Sequence, residues 1–208
     1  MSFPVHPLDK ALGDISSIRR QVARSTEFRG YGAATLASTG LFAGLAALAQ
    51  SFLLPDPASH IGTYLRIWVT TAIVSAVLIG VQTLTRSRRM HSGLADEMIL
   101  MAVEQFLPSL GAGALISIVL LRLVPANVWM LPAMWQITYS LGVFASCRFL
   151  PKPMAAAGAW YLLTGLICIG LGDARALSPW TMGLAYGVGQ LIVAAVLLWG
   201  SKKDRDEI

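Results

Sequence analysis

Four polar residues that fall within or beside long apolar segments are the candidates for chemistry in this chain. Gln136, Tyr139 and Gln190 lie near the middle of such segments, and Glu104 lies near the start of another. If these segments cross a bilayer, each amide or hydroxyl group needs a partner, because lipid offers no hydrogen bond. Hydrogen bonds between helices meet this need, and so does a ligand bound between them. The pattern therefore predicts either interhelical contacts or a ligand site that Gln136, Tyr139 and Gln190 line, with Glu104 at its inner mouth.

The position of Glu104 allows three interpretations. If a span begins near Met98, the carboxylate lies inside the hydrocarbon edge, where a charge is costly and indicates a proton or cation site. If the span begins at Phe106, the carboxylate simply lies among lipid headgroups. The third interpretation is a structural ion pair with one of three arginines, Arg86, Arg88 or Arg148. The sequence leaves these interpretations open.

The composition predicts that these residues belong to an integral membrane protein. Of the 208 residues, 55% are hydrophobic and only 13% are charged, whereas soluble domains carry about 25% charged residues. At about 1.5 Å per residue, six apolar segments are each long enough to cross roughly 30 Å of hydrocarbon. These segments are Tyr31 to Leu54, Tyr64 to Thr85, about Met98 to Leu123, Ala126 to Ala145, Met154 to Gly172 and Pro179 to Trp199. We predict an all-α bundle of six transmembrane helices over residues 31–200.

The distribution of basic residues predicts the orientation of the bundle. With a cytoplasmic N-terminus, only Arg66, Arg122 and Arg175 of the 16 Lys and Arg residues fall in outer loops. Short cytoplasmic loops are enriched in Lys and Arg, so both termini are expected to be cytoplasmic. This pattern also explains the net charge of +5 without a nucleic-acid partner.

The two ends of the chain are polar. Residues 1–30 form a cytoplasmic segment in which residues 7–28 follow the pattern of an amphipathic helix, and residues 201–208 form a charged cytoplasmic tail. Basic residues on such a helix favour an anionic lipid surface, and a cytoplasmic protein partner is the alternative. The basic residues that would make this contact are Arg19, Arg20 and Arg24.

The chain lacks the residue patterns of several chemistries. His6, His60 and His91 all fall outside the apolar segments, and no His, Cys or carboxylate cluster has the spacing of metal ligands. No base lies at depth to activate a nucleophile. Cys147 and Cys168 fall at opposite ends of the predicted bundle. We therefore predict a non-enzymatic protein with no catalytic residue, metal or other cofactor.

Small residues and prolines predict how the helices pack. Glycine lets helix backbones approach closely, within one bundle or between copies in a homo-oligomer. The glycines at suitable spacing are Gly40, Gly44, Gly111, Gly113, Gly183 and Gly187. Pro108 and Pro132 are expected to kink their helices, since proline cannot donate a backbone hydrogen bond.

Three stretches of the sequence resemble a group of small, uncharacterised, six-span bacterial inner-membrane proteins. These stretches are I-R-R-Q-V-A-R-S-T-E-F-R-G-Y-G from Ile18, F-L-P-S-L-G-A-G-A-L-I-S from Phe106 and L-P-A-M-W-Q-I-T-Y-S-L-G-V from Leu131. Ala133 and Ser140 stand where this group would have glycines. The resemblance implies a bacterial inner-membrane location and a sensory or regulatory role, but no activity.

Two functions are consistent with the sequence. The first is an interaction or regulatory module that associates through glycine-rich helix faces and engages a cytoplasmic partner through residues 7–28. The alternative is binding or transport of a small apolar or weakly polar molecule at Gln136, Tyr139 and Gln190.

Overall fold

The computed structural model describes residues 32–90, 93–147 and 152–206. Six α-helices follow one another along them: α1 (Ala33–Leu53), α2 (Ile61–Met90), α3 (Gly93–Arg122), α4 (Leu131–Ser146), α5 (Ala155–Gly170) and α6 (Pro179–Asp206). Short 3₁₀ turns lie at Pro125–Met130, Lys152–Met154 and Ala174–Leu177. These ranges contain no β-strand, and the predicted all-α class is confirmed. The predicted N-terminal helix, with Arg19, Arg20 and Arg24, lies outside the described residues.

Four of the helices are long and apolar enough to cross a membrane. They are Ala33–Leu53, Ile61–Thr83, Val103–Arg122 and Pro179–Trp199, and they identify the chain as a membrane protein. Helices α4 and α5 have only 16 residues each, fewer than the ~20 that a membrane-spanning helix needs. Buried polar residues also lower the hydropathy of α4, namely Gln136, Thr138, Ser140 and Ser146.

Proline and glycine residues determine where several helices begin and end. After α5, Gly172 adopts a φ of +72°, a left-handed conformation that glycine enters without a steric penalty. Pro132 lies in the first turn of α4, where its missing N–H would have no helical acceptor. The kink predicted at Pro132 is therefore wrong, since this proline begins a helix. Pro108, by contrast, lies inside α3, and the kink predicted there stays a prediction.

The helices pack as neighbours in the order α2, α1, α6, α5, α4 and α3. The most extensive contacts join α1 to α6, α5 to α4, and α4 to α3. The two helices at the ends of this order bury the least: only 11% of the apolar window is buried in α2 and in α3, against 39% in α1. Their exposed side chains include Ile73, Val77, Leu115 and Ile118. Such exposed apolar faces are suited to lipid or to another helix.

The loop before α6 contains a local ion pair between Asp173 and Arg175. The Arg175 Nε lies 2.9 Å from Asp173 Oδ1, and the Arg175 backbone N–H donates to the same oxygen. The side-chain hydrogen bond from Arg175 is the main cause of a lowered Asp173 pKa. A lowered carboxyl pKa favours the folded loop above the unfolded pKa, and this contribution disappears as the pH falls through the folded value. Because both side chains are exposed, the effect on stability is small.

We predict that Arg175→Ala raises the pKa of Asp173 toward the ordinary carboxyl value. The pKa can be read from the carboxyl ¹³C shift during an NMR titration. The internal control is Asp56, whose pKa is lowered by hydrogen bonds from Ser59 and should not change. An unchanged Asp173 pKa in the variant would contradict this account of the loop.

Candidate functional site

Tyr139 and Gln190 meet in the interior of the bundle. Tyr139 lies on α4 and Gln190 on α6, and the Gln190 Nε2 donates a hydrogen bond of 3.2 Å to the Tyr139 Oη. Gln190 is buried, with 8% of its surface exposed. Two of the four predicted ligand-binding residues are thus in direct contact, although 51 positions separate them in the sequence.

Three further aromatic rings surround the Tyr139 ring. Phe106 of α3, Tyr161 of α5 and Tyr186 of α6 pack against it edge to face, with centroid distances of 5.0, 4.7 and 5.5 Å. Tyr161 and Tyr186 also contact each other at 5.3 Å. Edge-to-face pairs of this kind are favourable beyond their burial of apolar area. We call these four residues, together with Gln190, the tyrosine cluster; it joins four of the six helices.

A glycine makes room for the tyrosine cluster. Gly189 of α6 is buried, and a Cβ atom at this position would collide with the Tyr161 ring and hydroxyl group. The Tyr161 ring therefore lies directly on the α6 backbone. Tyr161 is fully buried, with 0% of its surface exposed.

Gln136 lies one helical turn from Tyr139 on the same face of α4, but it makes different contacts. Its Nε2 donates to the Thr181 carbonyl oxygen at 3.1 Å and lies 3.9 Å from the Met182 sulfur. Its side chain has 0% exposure, and its Cβ lies close to Gly165 of α5. Gln136 thus joins α4 to α6 nearer the first residues of both helices, and it is not part of the tyrosine cluster.

Glu104 is not among the residues that the structure brings together. It lies on α3, beside the first residue of the apolar stretch Val103–Arg122, and its side chain is exposed. Phe106, two residues further along α3, is the residue that reaches Tyr139.

A third buried amide, Gln50, was not among the residues predicted from the sequence. Its Nε2 donates to the Leu177 carbonyl oxygen at 2.7 Å, and its Oε1 accepts from the Trp68 indole N–H at 2.7 Å. Gln50 has 0% exposure. It ties α1 to α2 and to the turn that precedes α6. The signal available in the sequence was an amide four residues before the end of the apolar segment Tyr31 to Leu54.

The six predicted packing glycines fall into two groups. Gly40, Gly113, Gly183 and Gly187 each lie against another helix of the same chain, as the atoms that a Cβ would meet indicate. Gly44 and Gly111 have no such atom within 4 Å. The close contacts of the first group are thus within the bundle, whereas the second group leaves backbone available to another partner.

The chemistry of the interior is that of neutral hydrogen-bonding groups. Amide and phenol groups line the contacts between α4, α5 and α6, and they can donate to or accept from an uncharged molecule. Within the ranges that the structure describes, no three His, Cys, Asp or Glu side chains lie close enough together to hold a metal ion.

Comparison of the chain with protein families, curated proteins and solved structures finds no match.

Proposed function

We propose that the chain is a non-enzymatic module of the bacterial inner membrane that associates with a second copy and with a cytoplasmic partner. The observation that carries this proposal is the exposed surface of α2 and α3, which is apolar and little buried within the bundle. Gly111 lies on this surface of α3 with no neighbouring atom within 4 Å. Open glycines on apolar helices allow close helix association in a membrane.

The proposed topology has six spans and two cytoplasmic termini. The 3₁₀ turn Pro125–Met130 runs directly into α4, and the turn Lys152–Met154 runs directly into α5. With these turns each short helix approaches the ~20 residues that a span requires. The predominance of Lys and Arg in the predicted cytoplasmic loops supports the orientation.

The self-association can be tested by native mass spectrometry of the protein extracted from its own membrane. We expect an oligomer for the unaltered chain and a shift toward monomer for Gly111→Leu, because the leucine side chain would hold the second helix away. The matched control is Gly170→Leu, another exposed glycine with no neighbour within 4 Å, at the end of α5. A monomeric unaltered chain, or an oligomer that survives Gly111→Leu, would overturn the proposed contact.

The cytoplasmic contact predicts a separate result. Deletion of residues 1–28 should abolish co-purification of the partner and leave the oligomer and the thermal unfolding of the bundle unchanged. The charge-reversal variant Arg19→Glu/Arg20→Glu/Arg24→Glu tests the same surface without shortening the chain. Retention of the partner by both variants would remove residues 7–28 from the proposal.

A further inference from the structure

Buried polar atoms without a protein partner are concentrated on one side of α6. Within the described ranges, five buried side-chain oxygen atoms form no hydrogen bond with protein: Tyr64 Oη, Thr83 Oγ1, Gln136 Oε1, Tyr161 Oη and Gln190 Oε1. Four of the five lie around Met182, Tyr186 and Gln190, which are spaced four residues apart and share a helix face. We call these three residues the buried α6 face.

Separate contacts connect the residues that carry these four atoms to the buried α6 face. Gln136 lies against Met182, and Tyr161 packs on Tyr186. Tyr64 belongs to a buried cluster that contains Met182 and is flanked by Tyr186. Gln190 is part of the face itself. At 1.5 Å per residue, these contacts extend over about 12 Å along the helix.

Such a concentration needs a physical explanation, because the large majority of buried side-chain polar atoms in proteins have a hydrogen-bond partner. Each glutamine donates a hydrogen bond from its amide nitrogen to a protein oxygen atom and retains its amide oxygen as a free acceptor. Each of the two tyrosines retains a hydroxyl group that can donate. The complementary ligand must therefore donate to an amide oxygen and accept from a phenol, and water does both.

We propose that the buried α6 face binds water molecules that bridge Gln136, Gln190, Tyr64 and Tyr161. Water fits because the surrounding side chains are aromatic, amide or thioether groups, which carry no charge to pair with an ion. An ion at this depth would need such a counter-charge. Buried waters typically make about three hydrogen bonds to polar groups of this kind. The proposed water site is independent of the association of α2 and α3 described above.

X-ray radiolytic labelling of the full-length protein in lipid nanodiscs, prepared in ¹⁸O water, tests this proposal. Radicals formed from bound water oxidise the side chains beside it, so a buried tyrosine is labelled only where water is bound. The reporter is Tyr161, which is 0% exposed, and the dry reference is Met154, which is 2% exposed in an apolar cluster with Val143 and Ala157. We expect faster ¹⁸O incorporation at Tyr161 than at Met154. Equal, slow labelling of both residues would overturn the proposal.

Substitutions test whether the labelling of Tyr161 depends on the unpartnered polar atoms. Gln190→Leu removes one acceptor and should reduce labelling of Tyr161 to the rate of Met154. The control is Thr164→Val, three residues along α5, whose hydroxyl group bonds only to carbonyl groups of its own helix and should not alter the rate. Should Gln190→Leu fail to fold, Tyr161→Phe removes a single hydroxyl group, and the rate is read at Tyr139 and Tyr186. Undiminished labelling in the folded variant would show that the radicals do not come from water held by these atoms.

Discussion

Replacement of Gln50 by leucine is expected to lower the free energy of unfolding by about 2–4 kcal/mol, since each buried polar group left without a partner costs about 1–3 kcal/mol. The change removes the acceptor of the Trp68 indole N–H and the donor to the Leu177 carbonyl oxygen. Trp68 has only 4% exposure and Gln50 has none, so water does not readily replace the lost bonds. Leucine and glutamine are similar in size, and the loss is therefore one of hydrogen bonding rather than of packing.

Unfolding of Gln50→Leu in mixed micelles of increasing SDS content, followed by tryptophan fluorescence, measures this loss. The double variant Gln50→Leu/Trp68→Phe should recover part of it, because phenylalanine has no N–H group that needs an acceptor. The control is Gln105→Leu, the same substitution at an exposed position of α3. If Gln50→Leu unfolds at the same SDS content as the unaltered chain, the two hydrogen bonds contribute little to the fold.

The sequence predicted where helices occur better than it predicted where they end. Each of the six apolar segments overlaps one α-helix, because backbone groups in an apolar surrounding must be satisfied within the segment. The observed helix ends differ from the predicted segment ends where polar residues continue the helix. Helix α2 runs to Met90 and α6 to Asp206, beyond the apolar stretches that ended the predicted segments. Hydropathy detects the apolar part of a helix, whereas backbone hydrogen bonding extends past it.

Helix α4 shows the opposite error. The predicted segment began at Ala126, but the chain forms a 3₁₀ turn as far as Met130 and α4 begins at Leu131. Pro125 opens that turn and Pro132 opens the helix. Each of these two prolines therefore begins a helical element. The position of a proline within an apolar segment does not show whether it begins a helix or interrupts one. Proline is compatible with both a kink and a helix start, and only the backbone hydrogen bonds distinguish the two.

The interior contacts were only partly accessible from the sequence. Depth along the apolar segments selected Tyr139 and Gln190, which are in contact, and Gln136, which bonds to Thr181. It could not select Phe106, Tyr161 or Tyr186, because aromatic residues are common in apolar segments. Gln50 was not selected because it lies four residues before Leu54, the end of its predicted segment, and not near the middle of that segment. Its hydrogen bond to the Leu177 carbonyl oxygen, 127 positions away, shows that a buried amide can also lie near the end of a helix.

The substitution of leucine for Gly40 and for Gly44 should have unequal effects, although both glycines lie on α1. A Cβ at position 40 would lie 3.0 Å from the Gly187 carbonyl oxygen and 3.2 Å from the Gln190 Cβ. The rest of a leucine side chain has no space there unless α1 and α6 separate. A Cβ at position 44 would have no atom of another helix within 4 Å. We expect Gly40→Leu to be less stable than Gly44→Leu by about 2 kcal/mol, within the range of about 1–3 kcal/mol for overpacked sites.

This comparison isolates packing because both variants make the same change in one helix. Leucine favours the helix over glycine by somewhat less than about 1 kcal/mol at either position, so this gain cancels in the difference. Unfolding in SDS gives the stability difference, and native mass spectrometry of the same samples gives the oligomeric state. If Gly44 contacts a second copy, Gly44→Leu will reduce the oligomer while the bundle keeps its stability. Equal stabilities for the two variants would contradict this account, because they would mean that a side chain at position 40 finds space between α1 and α6 despite the 3.0 Å distance from its Cβ to the Gly187 carbonyl oxygen.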